Sequence, residues 1–404
     1  MNEAINLDDI RQAAERLKGI AHYTPLDYSE TFSGMTGSSI YLKLENMQKT
    51  GSFKIRGAFN VIVGLPEKEK EKGVIAASAG NHAQGVAFAA ARLGIKSTIV
   101  MPKGAPIAKI IATSNYGSEV ILAGNNYDEA YRHASSLQKE TGATYIHGFD
   151  DYRIMAGQGT VSIELLEQLP GLDAVVVPVG GGGLIAGMAY AFKELNTGIK
   201  VIGVQAKGAP AVLESKKAGV LKTVSSACTI ADGIAVGEPG RNTFKIICRY
   251  VDDMVTVDDE EISRALLLLL ERSKLVVEGA GAAGLAAVLQ DKITCRGQRV
   301  AVILTGGNID SNMMSVIIER GLVKDGRRLR ISCLLPDSPG SLERLLTEVS
   351  HHNCNVISIT HDRTNPGIPL KKARVDLILE TRNQEHILQI KKALEERGYI
   401  TKEF

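Results

Sequence analysis

The chain has 404 residues, of which 44% are apolar and 23% charged, a balance that excludes wholesale disorder and predicts more than one domain. Its 47 Lys and Arg against 45 Asp and Glu leave a formal charge of +2, and aromatic residues are 5% with no Trp. Neither a global field nor stacking platforms therefore mark it as a nucleic-acid binder.

Cys228, Cys248, Cys295, Cys333 and Cys354 are odd in number, widely spaced and form no CxxC pair. That usage argues against a disulfide framework or a zinc ribbon and for a reduced, cytoplasmic setting. The opening Met1–Ile10 is acidic and lacks an apolar h-region, so no signal peptide is expected. The charged run Glu67–Lys72 reads as a solvated surface segment. From Val74 onward, short β-branched runs alternate with helical patterns. Strands are predicted over 74–77, 97–101, 119–122, 144–146, 174–179, 200–205 and 299–304. Helices fall between them, including Asn81–Leu93 and one near Ile107–Asn115. That rhythm predicts parallel sheets with helices on both faces. The uncharged run Ala174–Phe192 is long enough to cross a bilayer, but Pro178, Gly180–Gly183 and Gly187 break a continuous helix. A strand, a glycine loop and a helix is the better parse, and no membrane partner is expected.

The rhythm changes after Gly326. Strands over 328–335, 355–360 and 373–380, helices over 340–351 and 384–397, and a final extended piece give the order βαββαβ, a small α+β unit. The expected division is 1–326 and 327–404, with a smaller subdomain at roughly 64–150 inserted in the first.

Gly180-Gly181-Gly182-Gly183-Leu184 follows a strand and opens a helix, so backbone N–H groups can converge there on a phosphate. Gly181-x-Gly183-x-x-Ala186 fits a dinucleotide fingerprint, but the next strand ends in Val204-Gln205-Ala206-Lys207, without the acid that a ribose needs. No Gly-Lys-Ser/Thr follows either, which excludes a P-loop. Two further segments narrow the choice: Gly51-Ser52-Phe53-Lys54-Ile55-Arg56-Gly57-Ala58, and Ser78-Ala79-Gly80-Asn81-His82 between a strand and a helix. Taken alone, Lys54 is an ordinary solvent lysine and His82 a capping or packing residue.

Together with Val277-Glu278-Gly279-Ala280-Gly281 and Thr305-Gly306-Gly307-Asn308, in that order, these segments resemble the fold-type II pyridoxal-phosphate enzymes, and within them the threonine dehydratases (threonine ammonia-lyases). The resemblance covers nearly the whole chain. Leu335-Pro336-Asp337-Ser338-Pro339-Gly340-Ser341-Leu342 resembles an ACT domain, a small-molecule sensing module. The fold implied is two open parallel-sheet α/β subdomains followed by that α+β domain.

The resemblance implies pyridoxal phosphate carried by Lys54, which would also move the Cα proton, with Phe53 flanking the site. Gly180, Gly181, Gly182, Gly183 and Leu184 would hold the phosphate, Asn81 the ring 3′-oxygen, and Thr305 would face the pyridine nitrogen. Ser78, Ala79, Gly80, Asn81 and His82 would hold the substrate carboxylate at a helix start. A neutral Thr305 makes the ring a weaker electron sink than a carboxylate would, which favours β-elimination. The implied reaction takes L-threonine to 2-oxobutanoate and ammonia, and L-serine to pyruvate. The ACT-like part would take an amino-acid effector in a homo-oligomer, a dimer or tetramer.

The alternatives are a serine racemase and an amino-acid sensor with an inactive body. Related racemases carry a serine base where this chain has Ala79, and a cation-binding acid where it has Gln205. His351, His352, Cys354 and His361 are conceivable metal ligands, but they belong to the ACT-like part, and no metal is expected.

Overall fold

The computed structural model describes residues 4–224 and 226–404. Residues 1–3, on which the reading of the acidic opening partly rests, lie outside the described residues. Strands β1 (Leu26–Tyr28) and β2 (Ser39–Lys43) begin one sheet. The chain then leaves it to build a second, from β3 (Val74–Ala77), β4 (Ser97–Met101), β5 (Glu119–Leu122) and β6 (Thr144–Tyr145). That sheet is parallel throughout, in the spatial order β5-β4-β3-β6. The chain returns to the first sheet with β7 (Ala174–Pro178), β8 (Lys200–Ala206), β9 (Asp253–Val257) and β10 (Arg299–Ile303). Its order is β1-β2-β10-β7-β8-β9.

Every neighbour in the first sheet is parallel except β1, which runs antiparallel on β2. The apolar run Ala174–Pro178 is buried at every position because helices cover both faces of the sheet. β1, β2 and β9 were not among the predicted strands. β1 has only three residues, and β9 reads Asp-Met-Val-Thr-Val with a charged start. The run 174–192 is β7, the glycine loop and the helix Gly183–Leu195. Among the described residues no helix is long and apolar enough to cross a membrane.

Three helices cross closely behind the site. A Cβ on Gly187 would lie 2.0 Å from Met155 O, one on Gly159 2.8 Å from Gly187 O, and one on Gly157 2.5 Å from Arg56 O. Helices Lys54–Val63, Tyr152–Gln168 and Gly183–Leu195 therefore touch backbone to backbone, which only glycine permits.

The chain divides into two compact units between Asp310 and Ser311, so helix Ser311–Lys324 goes with the second unit. There β11 (Arg328–Pro336), β12 (Asn355–Asp362), β13 (Lys372–Glu380) and β14 (Thr401–Glu403) form an antiparallel sheet of order β12-β13-β11-β14. Helices Ser341–His351 and Gln384–Glu396 complete the βαββαβ order. Leu329, Ile331, Cys333 and Leu335 alternate inward along β11 to make its core with Leu345, Val375 and Leu377. Among the described residues no three His, Cys, Asp or Glu gather as a metal site. His386 Nε2 donates to His352 O at 2.8 Å instead, with Cys354 Sγ 3.7 Å away.

Candidate active site

Four of the five segments that carry the resemblance follow the carboxyl ends of β2, β3, β7 and β10, where ligands bind in open parallel sheets, while Val277–Gly281 leads into helix Gly279–Leu289. Those after β2 and β10 are tied together. Phe53 N donates to Thr305 O (3.2 Å), Gly307 N donates to Gly51 O (2.9 Å), and Ser52 forms an isolated bridge with Gly306. Lys54, the first residue of its helix, is thereby set beside Thr305, which is buried.

Lys54 Nζ lies 5.2 Å from the centre of the Phe53 ring and donates to Gly148 O at 2.8 Å. Burial pulls its ammonium down to about 8, and the Glu278 carboxyl opposes that shift. An amine so placed is partly unprotonated near neutrality, as a nucleophile or base must be.

The glycine loop turns through Gly182 at φ +95°. Its helix has no side-chain cap, and the first amide bonded within it is Ala186, donating to Gly182 O at 2.9 Å. The N–H groups of Gly183, Leu184 and Ile185 thus precede the first helical bond and form an anion site. The Leu184 side chain is buried in the core, so only its backbone is available. From behind, buried Thr243 donates through Oγ1 to Gly181 O (2.7 Å). In front, the Phe149 ring lies over Gly181, where a Cβ would meet it at 2.5 Å. The segment 147–150 is itself fixed: His147 Nδ1 accepts from the N–H of Phe149 (3.1 Å) and of Asp150 (2.8 Å). Asp150 in turn caps the helix of Thr243, accepting from the amides of Arg241, Asn242 and Thr243.

After β3, Ser78 Oγ accepts from Gly80 N (3.2 Å), and Ala79 is half-buried. The helix Asn81–Arg92 starts without a side-chain cap on Gly80, leaving amides for an anion. The His82 side chain is not part of that offer. It is buried, its Nε2 donates to Ile146 O (2.9 Å), and burial with the nearby Lys54 charge lowers it to about 3, so the ring is neutral. Asn81 donates from Nδ2 to Glu278 Oε1 (2.7 Å) and accepts at Oδ1 from Asn308 Nδ2 (2.8 Å).

Glu278, Asn308, Gly148, Phe149, Asp150 and Thr243 were not among the predicted site residues. The first two lie inside motifs that had been singled out, whereas the others carry no local signal. Gln205 is fully buried; its amide nitrogen donates to Val179 O (3.3 Å) and Ala209 O (3.2 Å), so a donor faces those carbonyls. The site fits a phosphate-bearing aldehyde such as pyridoxal phosphate. It offers an uncapped, glycine-lined helix start and an amine lowered toward neutrality. The hydroxyls of Thr50 and Ser52, buried beside Lys54, have no hydrogen-bond partner.

Residues 18–306 match the family described as pyridoxal-phosphate dependent enzyme, and residues 329–398 match the ACT domain. The chain is 50% identical to the L-threonine ammonia-lyase of Thermotoga maritima over 395 residues, 98% of either chain. Among solved structures it is similar to maize serine racemase (TM-score 0.75, 38% identical, 80% of this chain and 99% of that one). It is also similar to the processed form of threonine deaminase isoform 2 from Solanum lycopersicum (TM-score 0.74, 37% identical, 79% of this chain and 90% of that one).

Proposed function

The chain belongs to the pyridoxal-phosphate dependent enzymes and continues into an ACT domain, and from that premise we infer that it dehydrates and deaminates L-threonine to 2-oxobutanoate and ammonia. L-Serine would give pyruvate by the same route. The observation that carries this reading is the meeting of Lys54, Asn81, Thr305 and the glycine loop at the carboxyl ends of parallel strands.

Bound pyridoxal phosphate supplies an electron sink that acidifies the substrate Cα–H and lets the β-hydroxyl depart. Lys54 would hold that group, with Phe53 at its flank. Amides of the Gly180–Leu184 loop, foremost those of Gly183 and Leu184 at the open helix start, would bind the phosphate, Asn81 would hold the ring oxygen, and Thr305 would lie toward the ring nitrogen. The substrate carboxylate rests on the uncapped start of helix Asn81–Arg92, with Ser78, Ala79, Gly80 and the His82 amide around it. Lys54 Nζ takes the Cα proton, and its lowered basicity suits both taking and returning it near neutral pH. Loss of water across Cα–Cβ leaves an enamine, whose imine form takes up water and yields ammonia and the 2-oxo acid.

Racemisation needs a second base on the opposite substrate face. The side chain at position 79 is a methyl group, which has no proton to give. For control, we propose a catalytic body over 1–326, with its smaller subdomain at about 64–150, and a regulatory part over 327–404 that binds an amino acid in a homo-oligomer. The outermost strand β12 leaves Val356, Ile357 and Ile359 exposed, a surface suited to a second copy. A cytoplasmic setting accords with the five free cysteines.

The test is initial-rate elimination on L-threonine and L-serine, with and without isoleucine or valine, and chiral chromatography for D-serine. Production of 2-oxobutanoate without D-serine supports the reading. D-Serine formed as fast as pyruvate reverses it in favour of racemisation.

A further inference from the structure

Glu278 takes no part in the steps above, yet its carboxyl lies at the centre of the site. It stands at the N-cap of helix Gly279–Leu289, but its side chain makes no capping bond. Its backbone N–H donates to Gly306 O at 2.9 Å, and its carboxyl turns to Asn81. Two glycines leave room for it: a Cβ on Gly306 would lie 2.5 Å from Glu278 Oε1, and one on Gly233 3.3 Å.

The hydrogen bonds around Asn81 allow only one orientation of its amide. Asn308 Nδ2 donates to Thr50 O (2.9 Å), and a carbonyl can only accept, so the nitrogen of Asn308 must face that way. The same nitrogen donates to Asn81 Oδ1 (2.8 Å). The nitrogen of Asn81 is then on the far side, where Glu278 Oε1 accepts one of its hydrogens at 2.7 Å. A flipped Asn81 would set nitrogen against nitrogen at Asn308, and oxygen against oxygen at an ionised Glu278. One N–H of Asn81 remains for a ligand.

We propose that Glu278 is a positioning residue: through Asn81 it aims the remaining amide hydrogen at the cofactor's ring oxygen, and its charge sets how strongly that hydrogen is donated. This rests on the reading of Asn81 given above. A carboxylate drawing on one hydrogen of the amide leaves the nitrogen a weaker donor through the other, whereas a neutral carboxylic acid draws less. The bound group's absorption and the rate should therefore follow the protonation of Glu278.

Burial raises this carboxyl to about 7, close to working pH, with the residue half-buried. The groups facing it are Asn81, Lys109 and Lys54, which favour the charged form, and Asp232, which opposes it. Lys109 and Asp232 are themselves paired at 3.3 Å, so their influences largely offset. Lys54 itself titrates at about 8 in this structure, and the test must separate the two groups.

Glu278→Gln does so, because the side-chain amide keeps an acceptor oxygen for Asn81 but cannot titrate. Absorption spectra of the holoenzyme from pH 5.5 to 9, kcat/KM for threonine over the same range, and cofactor affinity would be measured for wild type, Glu278→Gln and Glu278→Ala. The carboxylic-acid stretch of the cofactor-free protein, followed by infrared titration, adds a readout independent of catalysis. The expected result is a pH-dependent spectral transition in the wild-type holoenzyme and, in the cofactor-free protein, an infrared carboxylic-acid band that titrates near 7, both lost in Glu278→Gln. Glu278→Gln retains the cofactor, while Glu278→Ala binds it at least tenfold more weakly. A midpoint that persists in Glu278→Gln, or an alanine variant with wild-type spectrum and affinity, overturns the proposal while leaving the lyase reading intact. A wild-type protein that takes up no pyridoxal phosphate overturns both.

Discussion

Burial lowers both Lys54 and His82, and their chemistry sends them to different ends. The lysine is lowered only to about 8 because Glu278 lies near, so it still exchanges protons at working pH. The imidazole, lowered to about 3, is out of the reaction and serves as a neutral donor to Ile146 O. Lys54→Ala should therefore cut threonine turnover by at least ~10³, measured as 2-oxobutanoate release, since it removes both anchor and base. Retention of a tenth of the rate would refute its role. His82 bears on stability. Its folded-state pKa lies below the unfolded 6.5, so the unfolded chain binds more protons between 6.5 and about 3, and stability is lost as pH falls through that window. Glu278, raised to about 7, acts in the opposite sense between 7 and 4.5, so the comparison must be with a variant rather than with wild type alone. Relative to His82→Gln, wild type should lose about 2 kcal/mol between pH 6.5 and 4.5 in urea unfolding of the cofactor-free protein. Parallel curves for the two proteins would refute the assignment.

The helix that starts at Lys54 is held in place by charges the sequence would put on the surface. Arg56 bonds Glu45 (2.7 Å) and Glu164 (2.6 Å), and Lys43 bonds Glu164 (2.6 Å). Lys43, Glu45 and Arg56 are all buried. Thr24 and Thr160 supply further hydrogen bonds, so the network is satisfied and locks helix Lys54–Val63 against helix Tyr152–Gln168. Breaking one member leaves an uncompensated carboxylate. Arg56→Met should cost ~3–5 kcal/mol by denaturant unfolding. The exposed pair Glu67–Lys70 sits at a similar 2.7 Å in a helix with no buried residue. Lys70→Ala should change stability by less than ~0.5 kcal/mol. Equal effects at both sites would show that burial is not what distinguishes them. Here the alternation of strand and helix is legible in the sequence, while the network is not: Lys, Glu and Arg look alike in a sequence whether they end in water or under a helix.

At the scale of the molecule, the division between Asp310 and Ser311 and the absence of cofactor motifs beyond Asn308 point to separate tasks for the two units. A chain ending at Lys324 should keep elimination activity and lose any response to isoleucine or valine. Typical coupling between effector and substrate sites is ~1–3 kcal/mol, or about 5–150-fold in affinity, so kinetics and calorimetry on the full-length chain would detect it. Absence of both binding and rate change in the full-length protein would leave the second unit an assembly element or a sensor of another ligand.

The sequence alone determined whatever depends on neighbours along the chain. β3 and β7 are continuous apolar runs because both of their faces are covered. The four glycines announce a turn that no side chain could make, and alternate apolar residues along β11 declare one buried face. Lys54, Asn81, Thr305 and the glycine loop could be named because each sits in a short recognisable segment. Tertiary structure alone decided what depends on distant residues meeting. It joined the orphan strands β1 and β2 to β10, placed Phe149 on Gly181, and made Thr243 and Asp150 the supports of the loop. It also set Glu278 against Asn81 and Asn308. The physical reason is that a side chain's protonation, orientation and hydrogen-bond partners follow from the dielectric and donors around it, and those come from parts of the chain tens to hundreds of residues apart.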